Sequence, residues 1–106
     1  MARHDTLDTE DKVRVLRALA FHIHRKRPAD EVLNEILDQE SKGGRRRAFR
    51  PAADALAESG FLEAVKVLGL LGDEAAQILE VIVETHDHRL LSSALGKLAD
   101  HAEAQG

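Results

Sequence analysis

The sequence predicts an all-α fold, a compact bundle of about six short helices. Three observations carry this prediction. Hydrophobic residues make up 43% of the 106 residues but aromatic residues only 3%, so the core must be aliphatic. Leu and Ala favour helices, whereas strands are enriched in aromatic and β-branched residues. Apolar residues also recur every three or four positions, in runs separated by short polar or glycine-containing stretches.

The chain length predicts a single domain, because about 100 residues suffice for one hydrophobic core and not for two. We expect residues 1–8 to form a flexible N-terminal segment. Residues 9–106 are expected to form the helical bundle.

The first helix is predicted over about residues 9–26. It ends before Pro28, because proline disfavours helical geometry in the residue that precedes it. Pro28 also suits the first turn of a second helix, where its missing N–H is not needed. That second helix has a charged side and one apolar stripe, formed by Val32, Leu33, Ile36 and Leu37.

The sequence SKGG at residues 41–44 predicts a loop. A third helix follows, beginning between Arg45 and Pro51, and Gly60 closes it because glycine readily takes the left-handed conformation. A short fourth helix, with leucine and valine on one face, ends before Gly72.

The fifth helix is predicted over about residues 74–85, with Asp73 as its N-cap. Its polar residues Gln77, Glu80 and Glu84 occupy a narrow face, so we expect this helix at the centre of the bundle, buried on most sides. Asp87 is expected to cap a sixth helix. This last helix has one regular apolar stripe, formed by Leu90, Leu91, Ala94, Leu95, Leu98, Ala99 and Ala102.

The sequence offers no signal for export or membrane insertion. The N-terminal residues mix both signs of charge, unlike a signal peptide, and no apolar run approaches the about 20 residues of a membrane helix. We therefore expect a cytoplasmic protein. The absence of cysteine excludes disulfides, thiolate metal sites and cysteine nucleophiles.

Charge is distributed unevenly along the chain. Residues 1–53 carry 12 Lys and Arg against 9 Asp and Glu, a net charge of +3. Residues 54–106 carry 3 against 10, a net charge of −7. Such an asymmetry fits a charged partner or a second copy of the chain, and it is equally compatible with an ordinary solvated surface.

Two clusters of charge are candidate interaction sites. Glu80 and Glu84, one helical turn apart, form a candidate acidic edge. Four arginines form a candidate basic patch, because guanidinium groups make bidentate contacts with phosphates and carboxylates. A protein is the expected partner. Nucleic acid is the alternative, although stacking aromatics and a base-reading helix are not evident. The patch comprises Arg45, Arg46, Arg47 and Arg50.

Histidine suggests a further alternative, a metal-dependent hydrolase centred on His86, Asp87 and His88. His22 and His24 could not bind one ion together, because residues two apart point about 200° apart around a helix. We favour Asp87 as a helix cap and His88 as a surface residue. The sequence also lacks a nucleophile elbow and a phosphate-binding glycine loop. We therefore predict a non-enzymatic protein without metal or cofactor.

The order of these features resembles the cytoplasmic F domain of the inner-membrane platform proteins of type II secretion and type IV pilus systems. The resemblance covers about residues 13–104. The run LRALAFHIHRKRPADEVLNEIL is similar to the first two helices of that family, matched at Leu19-Ala20, Pro28-Ala29 and Val32-Leu33. An arginine-rich helix start and a short helix opening at Phe61 follow in the family's order.

The end of the chain matches with one departure. The run LLSSALGKLADHAE resembles the family's last helix. The family typically has a Gly-Glu pair and a further glycine before this helix, where this sequence has Val83-Glu84 and then residues 85–89 without glycine.

The resemblance implies a role in protein–protein interaction. Such domains dock on neighbouring parts of a secretion or pilus assembly, including the cytoplasmic ATPase, and often pair with themselves. Family members carry two such domains attached to membrane helices. From one domain and no membrane segment we expect a stand-alone soluble relative, an adaptor or assembly factor that is dimeric.

Overall fold

The computed structural model describes residues 7–105, and within this range the chain is helical and contains no strand. This confirms the all-α prediction, and the six α-helices agree with the number expected. They are α1 (Thr9–His24), α2 (Ala29–Glu40), α3 (Arg46–Ser59), α4 (Phe61–Val67), α5 (Asp73–Glu84) and α6 (His88–Gln105). No helix in the described range is both long and apolar enough to cross a membrane.

Helix α1 begins with a reciprocal cap. The Asp11 backbone N–H donates to the Asp8 carboxylate at 2.9 Å, and the Asp8 N–H donates to the Asp11 carboxylate at 3.2 Å. Both carboxylates also oppose the positive end of the helix dipole. The predicted start at residue 9 therefore agrees with the structure. Of the predicted N-terminal segment, residues 1–6 lie outside the described residues, while Leu7 packs on the core.

Helix α1 is the centre of the fold. It packs along α6 on one side and on α2 on the other, although α6 is the most distant helix in sequence. The contact with α6 includes a partly buried hydrogen bond in which Ser92 Oγ donates to the Ala20 carbonyl at 2.6 Å. Four apolar residues of α1 are almost completely buried: Val15, Leu16, Leu19 and Ile23.

The remaining helices, α3, α4 and α5, connect α2 to α6 around the core. Helix α3 packs on α2 and α4, and α5 packs on α4 and α6. Phe49 of α3 and Phe61 of α4 are both buried in the core. As expected from a composition with three Phe and neither Trp nor Tyr, the rest of the core is aliphatic.

The predicted loop at residues 41–44 is more regular than expected. Residues Ser41–Arg45 continue α2 as a π-helical turn, and the chain breaks from helical geometry at Gly44, which has φ 94°. A residue with a Cβ is strained in this left-handed region, so glycine makes the change of direction possible. Helix α3 then starts at Arg46, one turn before Pro51.

The prediction that α5 lies at the centre of the bundle was wrong. Within α5, only Ala76 and Leu79 are buried, whereas Ile78 and Val81 are exposed. The central position is taken by α1, whose apolar residues are contacted from two sides. The cap prediction also fails, because Asp73 is the first residue of α5 and its side chain forms no cap hydrogen bond.

Candidate interaction surfaces

The arginines of the predicted basic patch do not share one environment, because Arg45 contacts the start of α1. Its guanidinium donates to Asp11 Oδ2 at 2.8 Å and to Oδ1 at 3.2 Å, and Asp11 is only 3% exposed. Arg14 donates to Asp11 at 2.9 Å and to Glu40 at 2.7 Å. The four side chains, named here the ion cluster, connect α1 to the end of α2 and the start of α3.

The ion cluster keeps Asp11 charged. Burial raises the pKa of Asp11, but hydrogen bonds from Arg45, the Asp8 backbone and Arg14 together outweigh burial and lower the pKa below its ordinary value of 3.8. The hydrogen bond to Asp11 in turn raises the pKa of Arg45. Arg45 therefore has a structural role in joining helices.

The other three arginines form an exposed surface. Arg46, Arg47 and Arg50, named here the arginine surface, lie in the first two turns of α3. Within the described range, none of the three forms an ion pair. The N-terminal end of a helix dipole is positive and disfavours cations, so the stability of α3 does not explain three of them there. Their chemistry suits an anionic partner.

Glu80 and Glu84, the acidic edge, are both exposed on α5. They lie one turn apart and so share one side of the helix, as expected from their spacing. Neither forms an ion pair with another described residue. The acidic edge lies on α5 and the arginine surface on α3, so the two charged sites belong to different helices.

Sequence reasoning missed an apolar face on α5. Ile78 is 61% exposed and Val81 is 62% exposed. Beside them, a groove of about 230 Å³ runs between α5 and α6. Apart from one lysine its lining is apolar, formed by Ala75, Ile78, Leu79, Ile82, Ala94, Lys97 and Leu98. We call Ile78, Val81 and this groove the apolar face.

A signal for this face was present in the sequence. In α5, apolar residues occupy more than half of the helix circumference, whereas contact with two neighbouring helices covers less. The small residues Ala75 and Ala94 on opposite walls indicate a surface that another helix can approach closely. This excess of apolar area led to the prediction of a central helix, although it equally fits a helix that completes its burial with a partner.

His86 and Asp87 lie in the turn between α5 and α6, and His88 is the first residue of α6. Asp87 caps α6 as predicted, since its carboxylate accepts the backbone N–H groups of Arg89 at 3.0 Å and Leu90 at 3.1 Å. The turn borders a cavity of about 270 Å³ that faces the α1–α2 turn and Lys26. Within residues 7–105, no three potential ligands among His, Asp and Glu come together as a metal site.

Comparison of the chain with protein-family models, with curated proteins and with solved structures found no significant match.

Proposed function

We propose that this protein is a non-enzymatic protein–protein interaction domain. The observation that carries the proposal is the apolar face of α5. Ile78 and Val81 are both more than half exposed beside an apolar groove. Contiguous exposed apolar surface of this kind is typical of interaction sites. The charged side chains at its rim, Glu80, Glu84 and Lys97, form no ion pair with another described residue and can give such a site specificity.

The resemblance to the secretion and pilus platform F domain supports a more specific form of this proposal. The protein would act in the cytoplasm as an adaptor or assembly factor. The arginine surface would contact an acidic region of a second protein, with a secretion or pilus ATPase as the candidate partner. The apolar face and the acidic edge would serve a separate contact.

Affinity capture from the native cytoplasm tests this function. The full-length protein, tagged, is compared with the variant Arg46→Glu/Arg47→Glu/Arg50→Glu, and captured proteins are identified by mass spectrometry. Arg45 is left intact because its ion pair with Asp11 joins α1 to α3. We expect a specific partner that binds the wild type and not the variant.

A control variant separates the effect of losing the arginine surface from the effect of a changed net charge. Arg25, in the turn between α1 and α2, and Lys66, on α4, are exposed cations, so Arg25→Glu/Lys66→Glu reverses two charges outside the arginine surface. The equally charged comparison is the double variant Arg46→Glu/Arg47→Glu. The Arg25→Glu/Lys66→Glu control should retain the partner. Loss of the partner in both double variants, or capture of the same proteins by both and by the wild type, would contradict a specific role for the arginine surface.

Nucleic acid is a second candidate partner, favoured by the exposure of Arg46, Arg47 and Arg50 on adjacent turns. Binding would depend steeply on salt, because phosphate contacts release counterions. Fluorescence anisotropy with duplex DNA, single-stranded DNA and RNA at low salt tests it. Binding that weakens with salt and is lost on neutralising the three arginines would establish this function, whereas no binding at low salt would exclude it.

A further inference from the structure

We propose that a second copy of this chain covers the apolar face, with α5 of each copy lying over α6 of the other. The inference rests on the proposed interaction function and names one partner for one surface. Helices α5 and α6 form a hairpin joined by a three-residue turn, Thr85–Asp87. The apolar face is the outer surface of this hairpin.

The first argument is the shape of the face. Ile78 and Val81 protrude from α5, while the adjoining groove has Ala75 and Ala94 on its walls. Large side chains beside a groove bounded by small ones make a surface that fits a copy of itself. The residue that protrudes from one copy enters the groove of the other.

The second argument is the charge along the two edges. At 100° per residue, Glu84 lies about 120° round α5 from Ile78, on the side away from the groove residue Ile82. The edge of the hairpin on α5 is therefore acidic. On α6, Lys97 lines the opposite rim of the groove and Arg89 is exposed near the turn.

These two edges require a partner with both signs of charge. The carboxylates of the acidic edge, like Arg89 and Lys97, form no ion pair with another described residue. A partner helix with only basic flanks would leave the two cations of α6 unmatched. A second copy of the hairpin carries an acidic edge, an apolar centre and a cationic edge, and so matches both edges.

The symmetry of the pair follows from the charge. A two-fold axis perpendicular to the helices would lay α5 on α5 and bring acidic edge against acidic edge. A two-fold axis along the groove lays α5 on the partner copy's α6 and keeps each residue at its level along the hairpin. Glu84 and Arg89 flank the same turn, so Glu84 of one copy meets Arg89 of the other.

The test is the concentration dependence of the molar mass of the purified full-length protein. Sedimentation equilibrium from about 1 µM to about 1 mM covers the dissociation constants of weak to moderately stable dimers. We expect a shift from the 11.7 kDa monomer towards twice that mass. Val81→Glu should weaken the association at least tenfold.

Val67→Glu is the matched control, because Val67 is also exposed, at 46%, but lies on α4 outside the apolar face. It should dimerise like the wild type. Circular dichroism should show both variants folded, since both replaced side chains are largely exposed. Equal weakening by both variants would contradict the assigned face, and a strict monomer at about 1 mM would overturn the proposal.

Charge reversal tests the symmetry. Glu84→Lys and Arg89→Glu should each weaken dimerisation, and the double variant should restore it, because each contact then pairs opposite charges again. Failure of the double variant to recover would contradict the arrangement of α5 on α6. A monomeric wild type that still captures a partner through the arginine surface would overturn the dimer alone. The proposed interaction function would then stand.

Discussion

A single buried carboxylate, Asp11, holds the start of α1 to the start of α3. Replacing Asp11 by Asn keeps the shape of the side chain but removes the negative charge that accepts hydrogen bonds from Arg45 and Arg14. Hydrogen bonds to a charged group contribute more to stability than neutral ones, and Asp11 is only 3% exposed. We expect Asp11→Asn to lower the free energy of unfolding by about 2–3 kcal/mol, measured by urea denaturation at pH 7.

A control variant and the pH dependence of stability both test the role of the Asp11 charge. Asp38→Asn removes an exposed pair with Lys42 and should change stability by less than about 0.5 kcal/mol. Because folding lowers the pKa of Asp11, its contribution is present above the ordinary value of 3.8 and is lost as pH falls through the lowered pKa. The difference between wild type and Asp11→Asn should therefore narrow below about pH 4. A constant difference down to pH 2 would contradict this account.

Two other residues carry backbone strain. Lys26 (φ 69°) and His86 (φ 59°) follow the ends of α1 and α5 in the left-handed conformation that usually selects glycine. Replacing either with Gly should stabilise the protein by about 1 kcal/mol, seen as a rise of about 4–8 °C in Tm. Thr85→Gly is the control: Thr85 has φ −73°, so there glycine should lower Tm. A fall in Tm for His86→Gly would show that contacts of the His86 side chain stabilise the fold by more than its backbone conformation destabilises it.

At the scale of elements, sequence reasoning located the helices well and misplaced one of them. The stripe of α2, the stop at Pro28 and the cap at Asp87 are local features, and the structure agrees with each. The position of α5 depends on how many neighbours surround it, which its own residues do not encode. Helix α1 became central because α6, at the other end of the chain, packs along it.

The same limit applies to the candidate sites. The spacing of Glu80 and Glu84 alone placed them on one exposed side of a helix. The separation of Arg45 from Arg46, Arg47 and Arg50 could not be predicted, because it depends on Asp11, which is 34 residues away in sequence. Long-range pairs of this kind are set by packing rather than by a local pattern.

The weak burial of α5 predicts faster hydrogen exchange. Two residues of α5 are buried, against five of α1, so local opening of α5 should need much less free energy. At low protein concentration we expect amides of α5 to exchange at least about tenfold faster than those of α1, measured by hydrogen–deuterium exchange. Equal protection of the two helices would contradict this prediction.

Two glycines should respond in opposite directions to alanine. Gly96 lies inside α6, and a Cβ there would meet nothing within 4 Å. Gly96→Ala should therefore stabilise α6 by about 0.5–1 kcal/mol. A Cβ at Gly44 also has space, but φ 94° makes Gly44→Ala cost about 1–2 kcal/mol. The melting temperatures of the two variants separate the effect of free space for a Cβ from the effect of backbone geometry. A higher melting temperature for both variants would contradict the role assigned to Gly44.

For the whole molecule, the position of α1 predicts a single cooperative unfolding transition. Helix α1 contacts both α2 and α6, and every α-helix contributes to one continuous core, so we expect loss of one side to destabilise the other. Leu95 of α6 is fully buried in this shared core. We expect Leu95→Ala to cost about 2–5 kcal/mol and to lower the stability reported by every part of the fold.

The measurement is denaturation followed by circular dichroism together with hydrogen exchange at α2 amides, on the side of α1 away from α6. If the fold is one unit, both probes should report the same loss of stability in Leu95→Ala, because α2 stays folded only while α1 is ordered. Protection of α2 that is unchanged in Leu95→Ala would mean that α1–α4 fold without α6. The bundle would then consist of a stable core of four helices, and the hairpin that carries the apolar face would be an attachment whose order depends on its partner.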